Sequence, residues 1–327
     1  MIRSGTIGIL LFLFFSCTNK NESNEIAPGS SFGEINTVSI VVDDYLWNGE
    51  IGDTLRKKWA APVDGLPQEE PLFTLNQYPT KVFEGMVKKN RNIIVVKTGT
   101  KESFIHKKNY FASPQQLFYI TATSNEALVK LLEQKSAEII KAIKESEIIE
   151  NQNRILKTPV SDQLIQEKFQ VKMALRSNYK YELVGKNFLW IRRELATGYN
   201  SLLLYEVPIS QIEKNNTIVN NILHVRDSIG KKFIHGSVGK TWMISEKAYS
   251  PYFLQTKIDQ KQAFETKGTW QLKNDFMSGP FINYAIKDTK NNRYLILDGF
   301  TYNPSKSKRD LVFELEAMMK SVVFYLN

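Results

Sequence analysis

The chain contains one cysteine, Cys17, so no disulfide bond within the chain can stabilise its fold. Such a protein depends on its hydrophobic core. Apolar residues make up 42% of the 327 residues and aromatic residues 12%, which is enough for a large core. We therefore expect one globular unit, in which an N-terminal half (35–158) packs against a C-terminal half (159–327).

The position of the cysteine indicates export. Residues 1–16 contain one basic residue, Arg3, and then a short apolar run that ends at Ser16. A membrane-spanning helix needs about 20 apolar residues, so this run predicts a signal peptide instead. Lipoprotein maturation requires a small residue directly before a cysteine, and the sequence thus predicts cleavage after Ser16 and lipidation of Cys17. The alternative is an ordinary signal peptide with an unrelated cysteine, because Phe14 stands where leucine is commoner.

The residues after the cysteine predict a tether. They are mostly polar, include Pro28 and Gly29, and show no apolar periodicity. This composition is typical of a flexible linker, so we expect residues 17–34 to join the lipid to a folded part. The expected location is the cell envelope, at the outer membrane. The periplasmic face is favoured over the cell surface, because the run CTNKNES carries a single acidic residue.

The rest of the chain alternates short β-type runs with a few amphipathic helices. This alternation predicts an α+β fold of antiparallel sheets covered by a few helices. Strands are expected at 37–42, 92–96, 117–123, 188–192, 202–207, 241–246, 251–258 and 264–272, and a hairpin at 281–287 and 293–298. Helices are expected at 160–169, 217–233 and about 306–324. Two earlier helices are predicted from Asp53 and from a capping box of Thr123 and Glu126.

The C-terminal helix carries a wide apolar stripe. Leu311, Leu315, Met318 and Val322 recur at spacings of three and four residues. A stripe of this kind predicts a helix that lies across a sheet. We expect that sheet to contain the hairpin at 281–298.

Two segments of similar pattern predict an internal duplication of a unit of strands and a helix. Residues 72–97 and 168–193 share apolar and aromatic positions, with Phe73 aligned on Phe169. Asn92 and Asn187 also align if one gap is allowed. The alternative is that similar strand patterns arose independently.

Charge narrows the class of partner. The formal net charge is +9. In an exported protein, a basic surface favours anionic lipid headgroups or an anionic envelope polymer, and we expect no nucleic acid partner. A mildly basic, solvated surface is the simpler interpretation.

Several long stretches resemble a known family. They are VVDDYLWNGEIGDTLRKKWAAPVDGLPQEEPLF (41–73), KKNRNIIVV (88–96), GTWQLKNDFMSGPF (268–281) and RYLILDGFTYNPSKSKRDLVFELEAMMKSV (293–322). They are similar to an uncharacterised lipoprotein family of the Bacteroidetes, domain of unknown function 4837. The resemblance implies an envelope with two membranes and a lipid anchor at Cys17. It implies no activity and no catalytic residues.

The residues that carry common chemistries do not form a catalytic pattern. The zinc-protease motif H-E-x-x-H is absent, and the cysteine is expected to be lipidated. The three histidines, His106, His224 and His235, form no metal-binding motif, and no glycine-rich phosphate loop occurs. We therefore expect no metal and no cofactor, and we assign no catalytic residue.

The loop GLPQEEP (65–71) is the best candidate for an interaction surface. Pro67 and Pro71 fix their own φ angles and bias the preceding residues towards extended geometry. A rigid loop would present its polar side chains in defined positions. The predicted surface consists of Gln68, Glu69, Glu70 and Trp47. The alternative is a connector whose glutamates are simply solvated.

Two tripeptides match the short Asp-Ser/Thr-aliphatic pattern of O-glycosylation in exported proteins of that phylum. They predict modification of Thr54 and Ser228. An aspartate at the start of a helix explains the same pattern by capping.

The expected function is a non-catalytic module, anchored by lipid, that binds an envelope protein or polymer. The alternative is an envelope hydrolase that acts on glycan or peptide. Such an enzyme would use Asp43 with Asp44, or Glu69 with Glu70, as general acid and base.

Overall fold

The computed structural model describes residues 29–304 and 306–325. The predicted signal peptide, Cys17 and most of the predicted tether lie outside these residues. Among the helices of the described ranges, none combines the length and the apolar character needed to cross a membrane.

The N-terminal half is built from five strands and three helices in its described residues. In chain order they are β1 (Thr37–Val41), α1 (Asp44–Trp47), α2 (Glu50–Trp59), β2 (Thr74–Tyr78), β3 (Asn92–Thr98), β4 (Ser103–Lys108), β5 (Gln116–Ala122) and α3 (Asn125–Leu156). Two short 3-10 turns, Thr80–Val82 and Val87–Lys89, lie between β2 and β3.

The described residues of the C-terminal half form twelve strands and four helices. In chain order they are β6 (Pro159–Val160), α4 (Gln163–Phe169), β7 (Val171–Lys172), β8 (Leu175–Arg176), β9 (Lys180–Val184), β10 (Phe188–Leu195), β11 (Gly198–Pro208), α5 (Ile209–Ile212), α6 (Ile218–Phe233), β12 (Trp242–Ser245), β13 (Tyr252–Ile258), β14 (Lys261–Lys273), β15 (Ser278–Asp288), β16 (Arg293–Tyr302), α7 (Arg309–Met319) and β17 (Val323–Phe324).

The N-terminal half contains a five-stranded sheet in the order β2-β1-β3-β5-β4. Strands β1, β2, β3 and β5 are parallel, and β4 is antiparallel to β5. Helices α2 and α3 cover one face with a large apolar layer. The other face has a thinner cover of Phe83, Val87 and Phe111. Because both faces are covered, residues 93–96 are buried one after another, as in other parallel sheets.

The C-terminal half contains an antiparallel sheet in the order β12-β14-β15-β16-β11-β10-β9, with β13 also paired to β14. Side chains alternate between its faces, as the two-residue period of a strand requires. In β11, Leu202 and Leu204 pack with Leu315 of α7. Leu203 packs on the opposite face with Ile222 of α6. The sheet is therefore buried on both sides.

Helix α3 joins the two halves. It packs on β3 and β5 of the five-stranded sheet and also contacts α7. Glu147 of this helix is fully buried, and its carboxylate accepts hydrogen bonds from Arg91 Nε at 2.5 Å, Asn92 Nδ2 at 2.7 Å and the backbone N–H of Asn36 at 2.8 Å. Breaking a buried ion pair of this kind typically costs about 3–5 kcal/mol. These bonds fix the position of α3, so one of its sides faces α7.

The α+β class is confirmed, and the named strands outside the five-stranded sheet pair antiparallel. Helix α7 lies on β15 and β16, as predicted. Two predicted helix starts are wrong. Helix α2 begins at Glu50 and not at Asp53. Ser124, rather than Thr123, caps α3, because Ser124 is extended and its side chain accepts a hydrogen bond from the backbone N–H of Ala127 at 3.2 Å.

The predicted duplication has no counterpart in the topology of the two segments. Strand β3 is parallel to β1 and β5, whereas the aligned strand β10 is antiparallel to β9 and β11. Phe73 and Phe169 are both buried, but Asn92 is buried and Asn187 is exposed. The shared pattern thus reflects similar strand sequences in two different sheets.

Candidate functional site

The predicted interaction loop lies against the C-terminal half. The backbone N–H of Val63 donates to the carbonyl of Glu70 at 2.9 Å and closes the loop. Gly65 has a φ of +83°, a left-handed conformation that glycine adopts without strain. A Cβ added at Gly65 would lie 2.9 Å from the Cβ of Lys267 on β14. The loop is therefore closely packed on that strand.

Glu70 caps helix α7. Its carboxylate accepts hydrogen bonds from the backbone N–H groups of Lys308 at 2.7 Å and Arg309 at 2.9 Å, and from the hydroxyl of Ser307. The first N–H groups of a helix have no partner within the helix, and negative charge is favourable at this end. The contacts of Glu70 thus serve the start of α7, a role that was not predicted.

The other three residues of the predicted surface differ in their surroundings. Gln68 accepts a long hydrogen bond from Lys308 Nζ, at 3.5 Å. Trp47 is half-buried, and the guanidinium of Arg56 lies 4.6 Å from the centre of its ring. Glu69 is exposed, and its side chain contacts no polar partner within the described ranges. Of the two glutamates, only Glu69 presents an uncommitted charge.

Asp43 and Asp44, the other predicted carboxylate pair, also stabilise local structure. Asp43 accepts a hydrogen bond from the backbone N–H of Thr80 at 3.1 Å. Asp44 accepts one from Gln77 Nε2 at 3.0 Å. Asp43 and Asp44 thus bind two nearby residues, Thr80 and Gln77. Glu70 binds the start of α7, whereas Glu69 has no polar partner among the described residues. The three bound carboxylates each have a structural role.

The predicted modification sites have different accessibility. Thr54 is 8% exposed on α2, and its hydroxyl donates to the carbonyl of Glu50 at 2.9 Å. The hydroxyl of Thr54 is therefore buried in the folded chain, and its modification stays a prediction. Ser228 is exposed on α6 and donates to the carbonyl of His224 at 2.9 Å. Its modification stays a prediction, and Cys17 lies outside the described residues.

The remaining chemistry-bearing groups make ordinary contacts. His106 Nε2 lies 2.7 Å from Gln116 Oε1, and His235 Nε2 lies 2.9 Å from the carbonyl of Lys231. Residues 29–33 have the spacing of a G-x-S-x-G motif, but they form isolated bridges and not the strand-to-helix turn that this motif needs. Within the described residues, no three potential metal ligands converge.

A groove between α3 and α7 is the strongest candidate for a site. Its volume is about 790 Å³, which lies within the range of ligand sites. It runs along α3 from Ala137 to Gln152, which is about 22 Å at 1.5 Å per residue. The floor is mostly apolar and the rim is charged. The lining residues are Ala137, Ile140, Lys141, Lys144, Glu145, Ile148, Ile149, Gln152, Phe313, Glu316 and Lys320.

Apolar side chains are exposed to solvent in the groove. Ile149 is 56% exposed, although it lies between buried residues of α3. Ile148 and Phe313 line the groove and pack behind it with Ala317 and Ile35. At one end, Gln152 Nε2 donates to the carbonyl of Ala317 at 2.9 Å and ties α3 to α7. The groove is therefore held open by fixed elements and keeps an uncovered apolar wall.

Some charged side chains of the groove form ion pairs and others do not. Glu316 binds Lys320 at 2.6 Å and lies 3.8 Å from Lys267. Burial opposes ionisation of Glu316, but Lys267 and Lys320 together lower its pKa to about 2. Lys144 forms no ion pair with any described residue, and loss of hydration together with the nearby Lys267 lowers its pKa. Lys144 is thus a cation without a carboxylate partner.

A smaller cavity continues behind the groove, between the two halves. Its volume is about 40 Å³, enough for water but not for a larger ligand. Lys267, which lines it, is held by paired polar groups. Lys267 binds Glu265 at 2.8 Å, and the hydroxyl of Tyr284 donates to Glu265 at 2.5 Å. Burial, together with the nearby carboxylates of Glu316 and Glu265, raises the pKa of Tyr284 well above its usual value. This cavity is a structural junction.

The sequence analysis missed the groove. Helix α3 was predicted only from its capping box, and no contact surface was assigned to it. One signal was present, because Ile148 and Ile149 are adjacent and cannot both face the same sheet from one helix. An apolar residue outside the main stripe of a long helix indicates a second contact surface.

Fold and site together define a class: an α+β protein of two joined halves with an open, helix-lined groove where they meet. The family follows from the sequence of the C-terminal half. Residues 158–321 match the family model described as Domain of unknown function (DUF4837), and the chain belongs to this family. A second model, Domain of unknown function (DUF8532), matches residues 31–156. No curated protein matches the chain in sequence.

Two solved structures show distant similarity. The Saccharomyces cerevisiae Ran-binding protein Mog1p is 8% identical, with a TM-score of 0.31 over 47% of this chain and 89% of that protein. Human StAR-related lipid transfer protein 5 is 10% identical, with a TM-score of 0.24 over 54% of this chain and 93% of that protein. At these scores, neither similarity supports a conclusion about this protein.

Proposed function

We propose that this protein is a lipid-anchored component of a bacterial cell envelope that binds a partner protein in the groove between α3 and α7. The bound part would be an acidic, amphipathic segment of an envelope protein. The anchor would be Cys17, and the location the periplasmic face of the outer membrane. The export pattern at residues 1–17 supports the location, and the groove supports the binding role.

The groove is the observation that carries the proposal. Helix-in-groove recognition places the apolar face of an amphipathic segment into a hydrophobic channel. Here the channel is long enough for about four turns of a partner helix, at 5.4 Å per turn. Its exposed Ile149 supplies an apolar contact. An apolar wall favours the side chains of a protein over a glycan polymer, which would require more polar groups.

The charge of the groove favours an acidic partner. Lys144 has no carboxylate within ion-pair distance among the described residues, while Glu316 is already bound to Lys320. An incoming carboxylate could bind Lys144 without displacing an existing ion pair. Charge complementarity of this kind mainly raises specificity and the rate of association.

A photoreactive amino acid at position 149 tests the binding role in living cells. We expect a covalent adduct to a peptide, which mass spectrometry identifies as an acidic amphipathic segment. The same probe at Glu133, an exposed residue of α3 outside the groove, should give no such adduct. Lys144→Gln, which keeps the shape and removes the charge, should strongly reduce the adduct at 149 without changing the melting temperature.

Three results would contradict this role. The first is an equal yield of adduct at the two positions, because the contact would then be nonspecific. The second is an adduct to glycan or lipid, because the partner would then not be a protein. The third is an adduct that is unaffected by Lys144→Gln.

Anchoring is tested separately with Cys17→Ala. The wild-type chain should incorporate labelled fatty acid and partition into the detergent phase, and the variant should do neither. A variant that still incorporates fatty acid would disprove lipidation at Cys17.

A further inference from the structure

One end of the N-terminal half carries an exposed group of apolar and basic residues, which we call the basal surface. Its large apolar members are Phe32, Val82, Met86 and Tyr110, with exposed fractions between 38% and 60%. Phe83 and Phe111 lie half-buried between them. Its basic members are Lys81, Lys88, Lys89, Lys107 and Lys108.

Direct contacts join these residues into one surface. The rings of Phe83 and Phe111 meet edge to face at 6.1 Å, and Tyr110 packs on Phe111 at 4.6 Å. Lys88 Nζ lies 5.8 Å from the centre of the Phe83 ring and 5.3 Å from that of Phe111. Lys107 Nζ lies 3.7 Å from the ring centre of Tyr110. Lysine ammonium groups thus surround an aromatic centre.

Basic residues outnumber acidic ones in the basal surface. Residues 80–90 and 107–113 contain five lysines and one carboxylate, Glu84. None of these lysines forms an ion pair within the described ranges. Exposed aromatic and apolar side chains beside lysines are typical of proteins that lie at a membrane interface, where the ammonium groups reach the anionic headgroups.

The start of the described chain lies at the same place. The backbone N–H of Phe32 donates to the carbonyl of Lys89 at 2.9 Å, and that of Ser113 donates to the carbonyl of Gly29 at 2.9 Å. Cys17 is 12 residues before Gly29. A chain of this length spans at most about 40 Å, so a lipid on Cys17 would keep the basal surface close to the bilayer. At the high effective concentration that such a tether provides, even millimolar affinity for lipid is sufficient.

The fold also directs this surface away from the groove. Phe83 and Phe111 cover the face of the five-stranded sheet opposite to α2 and α3. Helix α3 lies on the other face and contacts α7 of the C-terminal half. If the basal surface contacts the bilayer, the groove and the C-terminal half project from the membrane and are accessible to a partner.

We infer that the basal surface docks on the membrane that carries the lipid anchor, by inserting Phe32, Met86 and Tyr110 among anionic lipid headgroups. This inference rests on the proposed anchor at Cys17 for its orientation. The contact with lipid can nevertheless be measured without the anchor. Failure of the inference and failure of the proposed function are therefore distinguishable.

The test uses the predicted mature chain, residues 17–327, with Cys17→Ala. This variant contains no other cysteine, so a single new cysteine can carry an environment-sensitive fluorophore. We expect the emission of a label at Tyr110→Cys to shift to shorter wavelength with vesicles of phosphatidylethanolamine and phosphatidylglycerol. A label at Phe276→Cys, where the native aromatic is fully exposed in the C-terminal half, should not shift.

A matched pair of lysine variants controls for nonspecific charge effects. In vesicle sedimentation, Lys88→Gln with Lys107→Gln should reduce affinity by about fivefold for each lysine removed. Lys231→Gln with Lys273→Gln should leave the affinity for vesicles unchanged, although these two lysines also lie over an aromatic ring, that of Trp242. Equal losses in both pairs, equal shifts of both labels, or no binding to vesicles would overturn the inference. If the protein sediments with isolated peptidoglycan but not with vesicles, the basal surface binds a polymer, and the inference is also overturned.

Discussion

Two regions border helix α7, and they use their polar groups in opposite ways. In the loop at 62–71, Glu70 satisfies the backbone N–H groups at the start of α7. In the groove along α3, Lys144 is without an ion-pair partner among the described residues, and Ile149 is 56% exposed. The loop had the sequence features of a functional surface, but its Glu70 stabilises the start of α7. The difference shows that a rigid, charged segment is not a binding site if its charged groups already have partners within the chain.

The largest expected effect comes from truncating Leu315, because α7 is common to both regions. Leu315 is completely buried, and its Cβ lies 3.1 Å from where a Cβ at Gly299 would be. A Leu-to-Ala change at such a site typically lowers the free energy of unfolding by about 2–5 kcal/mol. We expect this loss for Leu315→Ala in urea denaturation, and a much smaller one for the half-buried Leu311→Ala. An unchanged curve for Leu315→Ala would show that α7 is peripheral.

The next effect depends on pH and concerns Glu316, which lies between the packed junction and the open groove. Its pKa is lowered from 4.5 to about 2 in the folded protein, by Lys267 and Lys320 against the effect of burial. Because the pKa is lower in the folded state, the ionised carboxylate stabilises the fold at pH values above the pKa of the unfolded state. This stabilisation disappears as the pH falls from about 4.5 to about 2. The shift corresponds to about 3 kcal/mol.

Glu316→Gln should therefore reduce stability at neutral pH and weaken its dependence on pH between 5 and 2. The measurement is the free energy of unfolding of both proteins across that range. The two curves should approach each other at the acidic end, where the wild-type carboxyl group is protonated as well. Parallel curves would mean that Lys267 and Lys320 do not stabilise the ionised form.

Most of the strands that the sequence predicted are strongly buried, although the largely exposed β13 was predicted as well. In β11, β15 and β16, apolar residues alternate or follow one another, so their identity as strands was clear. Among the longer strands, β2, β4 and β9 were missed, because all three lie at sheet edges and are largely polar or exposed. The parallel arrangement was also missed. Parallel neighbours usually have a helix between them, but the chain between the parallel neighbours β3 and β5 contains strand β4 and no helix.

The site was harder to predict than the fold, because its geometry depends on distant parts of the chain. Glu70 and Lys308 are 238 positions apart in the sequence, so no local pattern could show that they meet. The groove also needs both halves, since α3 and α7 each contribute a wall. In α3, one apolar stripe packs on the sheet and a second lines the groove. Because the two stripes overlap in the sequence, neither shows a clear helical period by itself.

The smallest expected effect separates the two glutamates of the loop. Glu70→Gln removes the negative charge from the start of α7 while keeping the shape, and we expect the free energy of unfolding to fall by about 1 kcal/mol. Glu69 is exposed and has no polar contact among the described residues, so Glu69→Gln should change stability by less than about 0.5 kcal/mol. Urea denaturation of the two single variants measures this difference. Equal losses would show that Glu70 does not cap α7. If Glu69→Gln leaves stability unchanged but removes the adduct from position 149, the loop takes part in partner binding, and the contrast between loop and groove is wrong.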